Sequence, residues 1–74
     1  MAKTFSGKHI VKILEKHFGF VAVSQRGSHM KLKRTHAPLA VTVVPLHKEL
    51  ARGTLRGVLE LAKVEEKDFY SKAK

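Results

Sequence analysis

The chain is 74 residues long, has no cysteine, and carries fifteen Lys and Arg against six Asp and Glu, a formal charge of +9. That length holds one domain with one small core, expected to span residues 1–74, and the missing thiols exclude disulfides and thiolate metal sites. Apolar runs of only a few residues exclude a membrane span and a signal-peptide core, so a soluble, cytoplasmic protein is expected.

The charge is unevenly placed. No acidic residue occurs between Glu15 and Glu49. A positive field of this size draws nucleic acid, acidic membrane or an acidic protein. It exceeds what solubility alone asks of a small domain, so a polyanionic partner is the better reading.

In chain order, Ser6 is suited to cap a helix over residues 6–18, in which Ile10, Ile13, Leu14, His17 and Phe18 recur at helical spacing. His17 lies on that stripe and reads as a boundary packing residue. Gly19 supplies the left-handed residue that commonly ends a helix. Two short runs of alternating apolar and polar residues follow, over 20–24 and 29–34, separated by a break that contains Gly27 and Ser28. Period-two alternation around such a break predicts a β-hairpin. The run over 39–44 is rich in β-branched residues and predicts a third strand, stopped by Pro45. An irregular turn is expected over 46–53. Thr54 then caps a second helix with Leu55, Val58, Leu59 and Ala62 on its apolar side. Gly57 weakens that helix by about 1 kcal/mol relative to Ala. Residues 64–69 predict a last short helical turn with Phe69 folded onto the core, and 71–74 a frayed tail.

The order is α-β-β-β-α, an α+β fold. A three-stranded antiparallel sheet has both helices on one face, because each helix must bury its stripe and the sheet needs one face covered. The other face stays open and collects the basic residues.

Alternation places Met30 and Leu32 toward the core and His29, Lys31 and Lys33 together on the open face. A lone strand histidine is usually idle. This one follows a Gly-Ser turn, shares its face with two lysines, and has no acid nearby in the sequence. RNA carries its own nucleophile, the 2′-hydroxyl, so a histidine to move a proton and cations on the phosphate suffice for strand cleavage without metal. DNA lacks that group, so the pattern points to RNA. Gly27 and Ser28 are turn residues first. Functionally, Gly27 allows close approach of a phosphate and Ser28 offers a hydroxyl, with Arg26 at the same corner. His47, just after Pro45-Leu46, could lie near the rim of the hairpin. It reads first as a hydrogen-bond partner of the following turn and second as an auxiliary proton carrier. His9 and His36 look exposed and uninformative. No histidine pair has i, i+4 spacing and no carboxylate cluster suits magnesium, so no metal site is expected.

Several short motifs occur in a fixed order: Ser6-Gly7-Lys8, Gly19-Phe20, Arg26-Gly27-Ser28-His29, Pro45-Leu46-His47, Lys48-Glu49-Leu50 and Gly53-Thr54-Leu55-Arg56. In this order the chain resembles the HicA family, the toxins of HicAB toxin–antitoxin systems, over nearly its whole length. The resemblance implies a double-stranded-RNA-binding-domain-like fold, a type II toxin that cleaves mRNA independently of the ribosome, and neutralisation by a HicB antitoxin. It places the family's catalytic histidine on His29. Ala62-Lys63-Val64-Glu65 stands where the family has a glycine and serine cap before the last helix.

Two functions of different class fit these residues. The leading one is a metal-independent endoribonuclease without cofactor, with His29 as the single general acid/base and with Arg26, Lys31 and Lys33 holding the phosphate. Its partners are mRNA and a HicB antitoxin covering the His29 face; membrane has no part, and any DNA contact passes through the antitoxin. The alternative is a non-catalytic RNA-binding module of the same fold, in which His29 only contacts backbone or a 2′-hydroxyl.

Overall fold

The computed structural model describes residues 4–73. Its elements are α1 (Gly7–His17), β1 (Val21–Arg26), β2 (His29–Arg34), β3 (Ala40–Pro45), α2 (Arg52–Ala62) and α3 (Glu66–Lys72). The strands form one antiparallel sheet in the order β1-β2-β3. Leu32 and Val44 of the sheet, Ile10 and Leu14 of α1, Leu55 and Leu59 of α2, and Phe69 of α3 share one buried cluster. Lys31, Lys33, Val41 and Val43 remain exposed on the opposite side. The helices therefore cover one face of the sheet and leave the other open, as an α+β sheet of this size requires.

The start of α1 is held by Ser6, whose hydroxyl accepts from the His9 N–H at 3.1 Å. At its end Gly19, with φ of +73°, turns the chain so that the Phe20 N–H donates back to the Leu14 carbonyl at 3.2 Å. Phe20 is thereby delivered into the core. The last position of the stripe behaves differently from expectation. His17 is exposed, whereas Phe18 packs against the core cluster and Phe20 is buried in it.

β1 runs to Arg26, two residues beyond the expected end, and β3 starts at Ala40 and includes Pro45. Pro45 is tolerated because β3 is an edge strand with no partner on its outer side. The connection over 46–51 is irregular but anchored. Leu50 donates its N–H to the Phe5 carbonyl at 2.9 Å, and Phe5 packs edge-on against Phe69 with ring centres 5.4 Å apart. Helix α2 begins earlier than Thr54 predicts: Ala51 occupies the cap position with no side-chain hydrogen bond, and Thr54 lies inside the helix. Arg56 bridges to Glu66 at 3.1 Å and ties α2 to the first turn of α3. Within the expected tail, Ser71 and Lys72 are helical and Ala73 is buried; Lys74 lies outside the described residues.

Arg34 faces the core by the same alternation that buries Leu32. Only 6% exposed, it donates to the carbonyls of Pro38 (2.7 Å), Phe18 (3.2 Å) and Ala62 (3.2 Å), and its guanidinium lies 4.9 Å from the centre of the Phe20 ring. A buried cation is stable here because its rigid fork meets three otherwise unpaired carbonyls. This arginine is a structural staple, not part of the open cationic face.

Candidate active site

The open face is built around a two-residue hairpin loop. Arg26 pairs with His29, leaving Gly27 and Ser28 as the turn. Gly27 has φ of +54° and Ser28 has no positive φ, the pattern of a hairpin turn that places glycine first. The Gln25 amide donates to the Gly27 carbonyl at 3.0 Å and braces the turn.

The register counted back from this turn decides which side chains of β1 join His29, and a bulge ends it. Ala22 pairs with Leu32, but Ser24 pairs with Lys31, so Val23 is an extra residue without a partner. Before the bulge the odd residues of β1 point outward; after it the even ones do. Ser24 and Arg26, paired with Lys31 and His29, share their face. On the other side of β2, Val43 pairs with Lys31 and Pro45 with His29.

These residues line one concavity of about 360 Å³: Ser24, Arg26, His29, Lys31 and Val43. Two cations, an imidazole and a hydroxyl surround it, and no carboxylate does. A phosphodiester can sit against Arg26 and Lys31 with the imidazole beside it. Lys33 shares the face one register step away, opposite Val21 and Val41, outside this concavity. Gly27 and Ser28 form the turn above it; the Ser28 carbonyl accepts from the Leu46 N–H. Among the described residues, no three His, Cys, Asp or Glu side chains gather as metal ligands would.

His47 follows the end of β3 that pairs with His29. Its ring centre lies 6.4 Å from that of His29, with the planes at 70°. Ser24 and Val43 are the lining residues that sequence reasoning missed. Both follow from strand alternation, Ser24 counted back from the two-residue turn and Val43 along β3.

Positive charge is not confined to the sheet. His9, Lys12, Lys16 and His17 of α1 and Lys72 of α3 border a second concavity of about 260 Å³ on the helical side, with Ile13 at its floor.

No helix among the described residues is long and apolar enough to cross a membrane. A family model described as HicA toxin of bacterial toxin-antitoxin matches residues 7–64, from the first residue of α1 to just past the end of α2. No curated protein matches the chain.

Proposed function

The chain belongs to the family of the HicA toxin of bacterial toxin–antitoxin systems, and from that premise we propose that residues 1–74, as a single cytoplasmic domain, form a metal-independent endoribonuclease that cleaves mRNA at His29. The observation that carries this reading is the concavity where His29 stands between Arg26 and Lys31 with no carboxylate on its wall.

Cleavage uses the substrate's own 2′-hydroxyl. A bond forms from the 2′-oxygen to phosphorus as the bond from phosphorus to the 5′-oxygen breaks; the 2′-proton leaves to a base, and a proton is supplied to the departing 5′-oxygen. His29 serves as general acid/base in this exchange. Arg26 and Lys31 neutralise the charge that grows on the phosphoryl oxygens, and Lys33 holds the adjoining backbone. Gly27 keeps the turn low enough for a phosphate to approach, and the Ser28 hydroxyl can donate to it. A HicB antitoxin silences the enzyme by covering the same face, and any contact with DNA passes through that antitoxin.

The test is incubation of the protein and its His29→Ala variant with a long RNA, with and without EDTA. Cleavage should survive EDTA and yield 2′,3′-cyclic phosphate ends. The variant should lose about 10²–10⁴-fold in rate, the usual worth of one acid/base group. Its melting temperature should not move, since the side chain is exposed. Undiminished cleavage by a folded variant overturns the assignment. Tight RNA binding by the wild type without cleavage supports the non-catalytic RNA-binding module instead.

A further inference from the structure

We propose that His47 is a second proton carrier of this cleavage, working opposite His29 across the scissile phosphate. The proposal rests on the ribonuclease reading and extends it from one histidine to two. In an in-line displacement the 2′-oxygen enters and the 5′-oxygen leaves on opposite sides of phosphorus. A single imidazole would have to collect a proton on one side and return it on the other. Two imidazoles with ring centres 6.4 Å apart can flank the phosphate and do both at once.

His47 is held for this position by its backbone and not by its side chain. Eighteen residues separate it from His29 in sequence. The register of β2 and β3 puts Pro45 opposite His29, and from there the chain turns back toward the hairpin. Two hydrogen bonds then fix the turn: the Leu46 N–H donates to the Ser28 carbonyl, and the His47 carbonyl accepts from the Gly7 N–H at 2.9 Å. The start of α1 presses so closely on this segment that a Cβ on Gly7 would fall 2.0 Å from the Pro45 carbonyl oxygen. Glycine at that position lets the helix clamp the loop. The His47 side chain itself is exposed, and its imidazole makes no hydrogen bond to any of the described residues. The His47 imidazole is exposed and is carried on a doubly pinned backbone beside His29.

The proton bookkeeping is complete without a further reactant. One histidine, neutral, accepts the 2′-proton; the other, protonated, donates to the 5′-oxygen. Hydrolysis of the cyclic phosphate or exchange with water returns both to their starting forms.

The experiment compares wild type, His47→Ala, His47→Gln and His29→Ala on two RNAs. One is ordinary; in the other the 5′-bridging oxygen of a single linkage is sulfur, which departs as a thiolate without needing a proton. For wild type on ordinary RNA, kcat/KM should show a bell-shaped pH profile, the mark of one essential base and one essential acid. Both His47 variants should bind RNA as wild type does, melt as wild type does, and cut about 10²-fold more slowly or worse, with one limb of the bell missing. The sulfur substrate should restore one of the two alanine variants and leave the other defective, which assigns acid and base. His47 variants that cut at close to the wild-type rate overturn the proposal, as does a slow variant that keeps both limbs of the bell or binds RNA more weakly. Sulfur rescue of both alanine variants, or of neither, also overturns it. If wild type cuts neither RNA, the ribonuclease reading fails and this proposal falls with it; if wild type cuts and the His47 variants match it, this proposal alone fails.

Discussion

Arg26 stands directly across the hairpin from His29, a pairing fixed by the two-residue turn at Gly27 and Ser28. Residues paired directly across an antiparallel ladder share a face, so the cation joins the histidine on the open side. The unpaired Val23 acts further along β1, where it puts Val21 rather than Ala22 across from Lys33.

That placement sets a salt dependence. If Arg26, Lys31 and Lys33 each meet one phosphate, the log–log slope of RNA affinity against salt should flatten by about 0.7 for each one replaced by Ala. Replacing Lys12 and Lys16 on the helical side should leave the slope unchanged. Filter binding or anisotropy across a salt series reads both. A slope that responds to the helical lysines and not to the sheet residues would place RNA on the wrong side of the molecule.

Much of this arrangement was legible in the sequence. Helix α1, its Ser6 cap and its Gly19 stop follow from spacing and local chemistry, and the Gly27-Ser28 break marks the hairpin correctly. Phe69 lies on the core as expected. The bulge was not legible, because no glycine or proline marks it and its cause lies in how β1 fits β2. The start of α2 was missed because Thr54 offers a capping hydroxyl that the fold does not use; the clamp between Phe5 and Leu50 brings the chain into helix sooner. Within the site, Arg26 and Lys31 beside His29 were visible as a charge pattern and His47 was expected near the hairpin rim, whereas the packing of Gly7 on Pro45 that fixes its backbone is a long-range contact.

Arg34 should matter to stability and not to RNA. Its guanidinium satisfies three carbonyls from three parts of the chain. Arg34→Met should lower stability by about 3 kcal/mol, since those acceptors lose charged donors in a buried place. Arg34→Lys should rescue little of this, because one ammonium cannot reproduce the planar fork. Urea midpoints of the two variants decide it; equal stability of wild type and Met variant would show the carbonyls find other partners.

Lys63 ends α2 in the left-handed region, with φ of 57° and ψ of 41°. A side chain costs about 1 kcal/mol in that conformation. Lys63→Gly removes this cost and gives back part of it through a freer unfolded chain, so a net gain of about 0.5 kcal/mol is expected. The thermal midpoint should rise. A fall would mean that the Lys63 side chain contributes contacts that outweigh the strain.

Gly7→Ala should have the opposite effect. The added methyl meets the Pro45 backbone, which cannot move without disturbing the last pair of β2 and β3. Overpacking of this kind costs about 2 kcal/mol. Because the same contact pins His47, cleavage at a temperature where the variant is fully folded should fall as well. A stable, fully active alanine variant would show that the clamp is dispensable.

The last prediction separates the two partners of the open face. Alongside its lysines this face carries exposed valines, with Val21 56%, Val41 43% and Val43 39% accessible. Valines flanking Lys33 on both sides have no use to a phosphate backbone, yet they suit a protein that brings apolar groups between acidic ones. RNA should therefore feel the cations alone, and the antitoxin both. In a competition assay on the His29→Ala protein, saturating HicB should abolish RNA binding if both partners occupy this face. Adding Val21→Ser and Val41→Ser should weaken HicB by roughly fivefold for each valine, about 1 kcal/mol of lost burial. RNA affinity and its salt slope should stay where they were. If saturating antitoxin leaves RNA affinity intact, neutralisation acts elsewhere on the molecule. If the serines weaken RNA as much as HicB, the valines belong to the RNA surface, and the antitoxin needs another foothold.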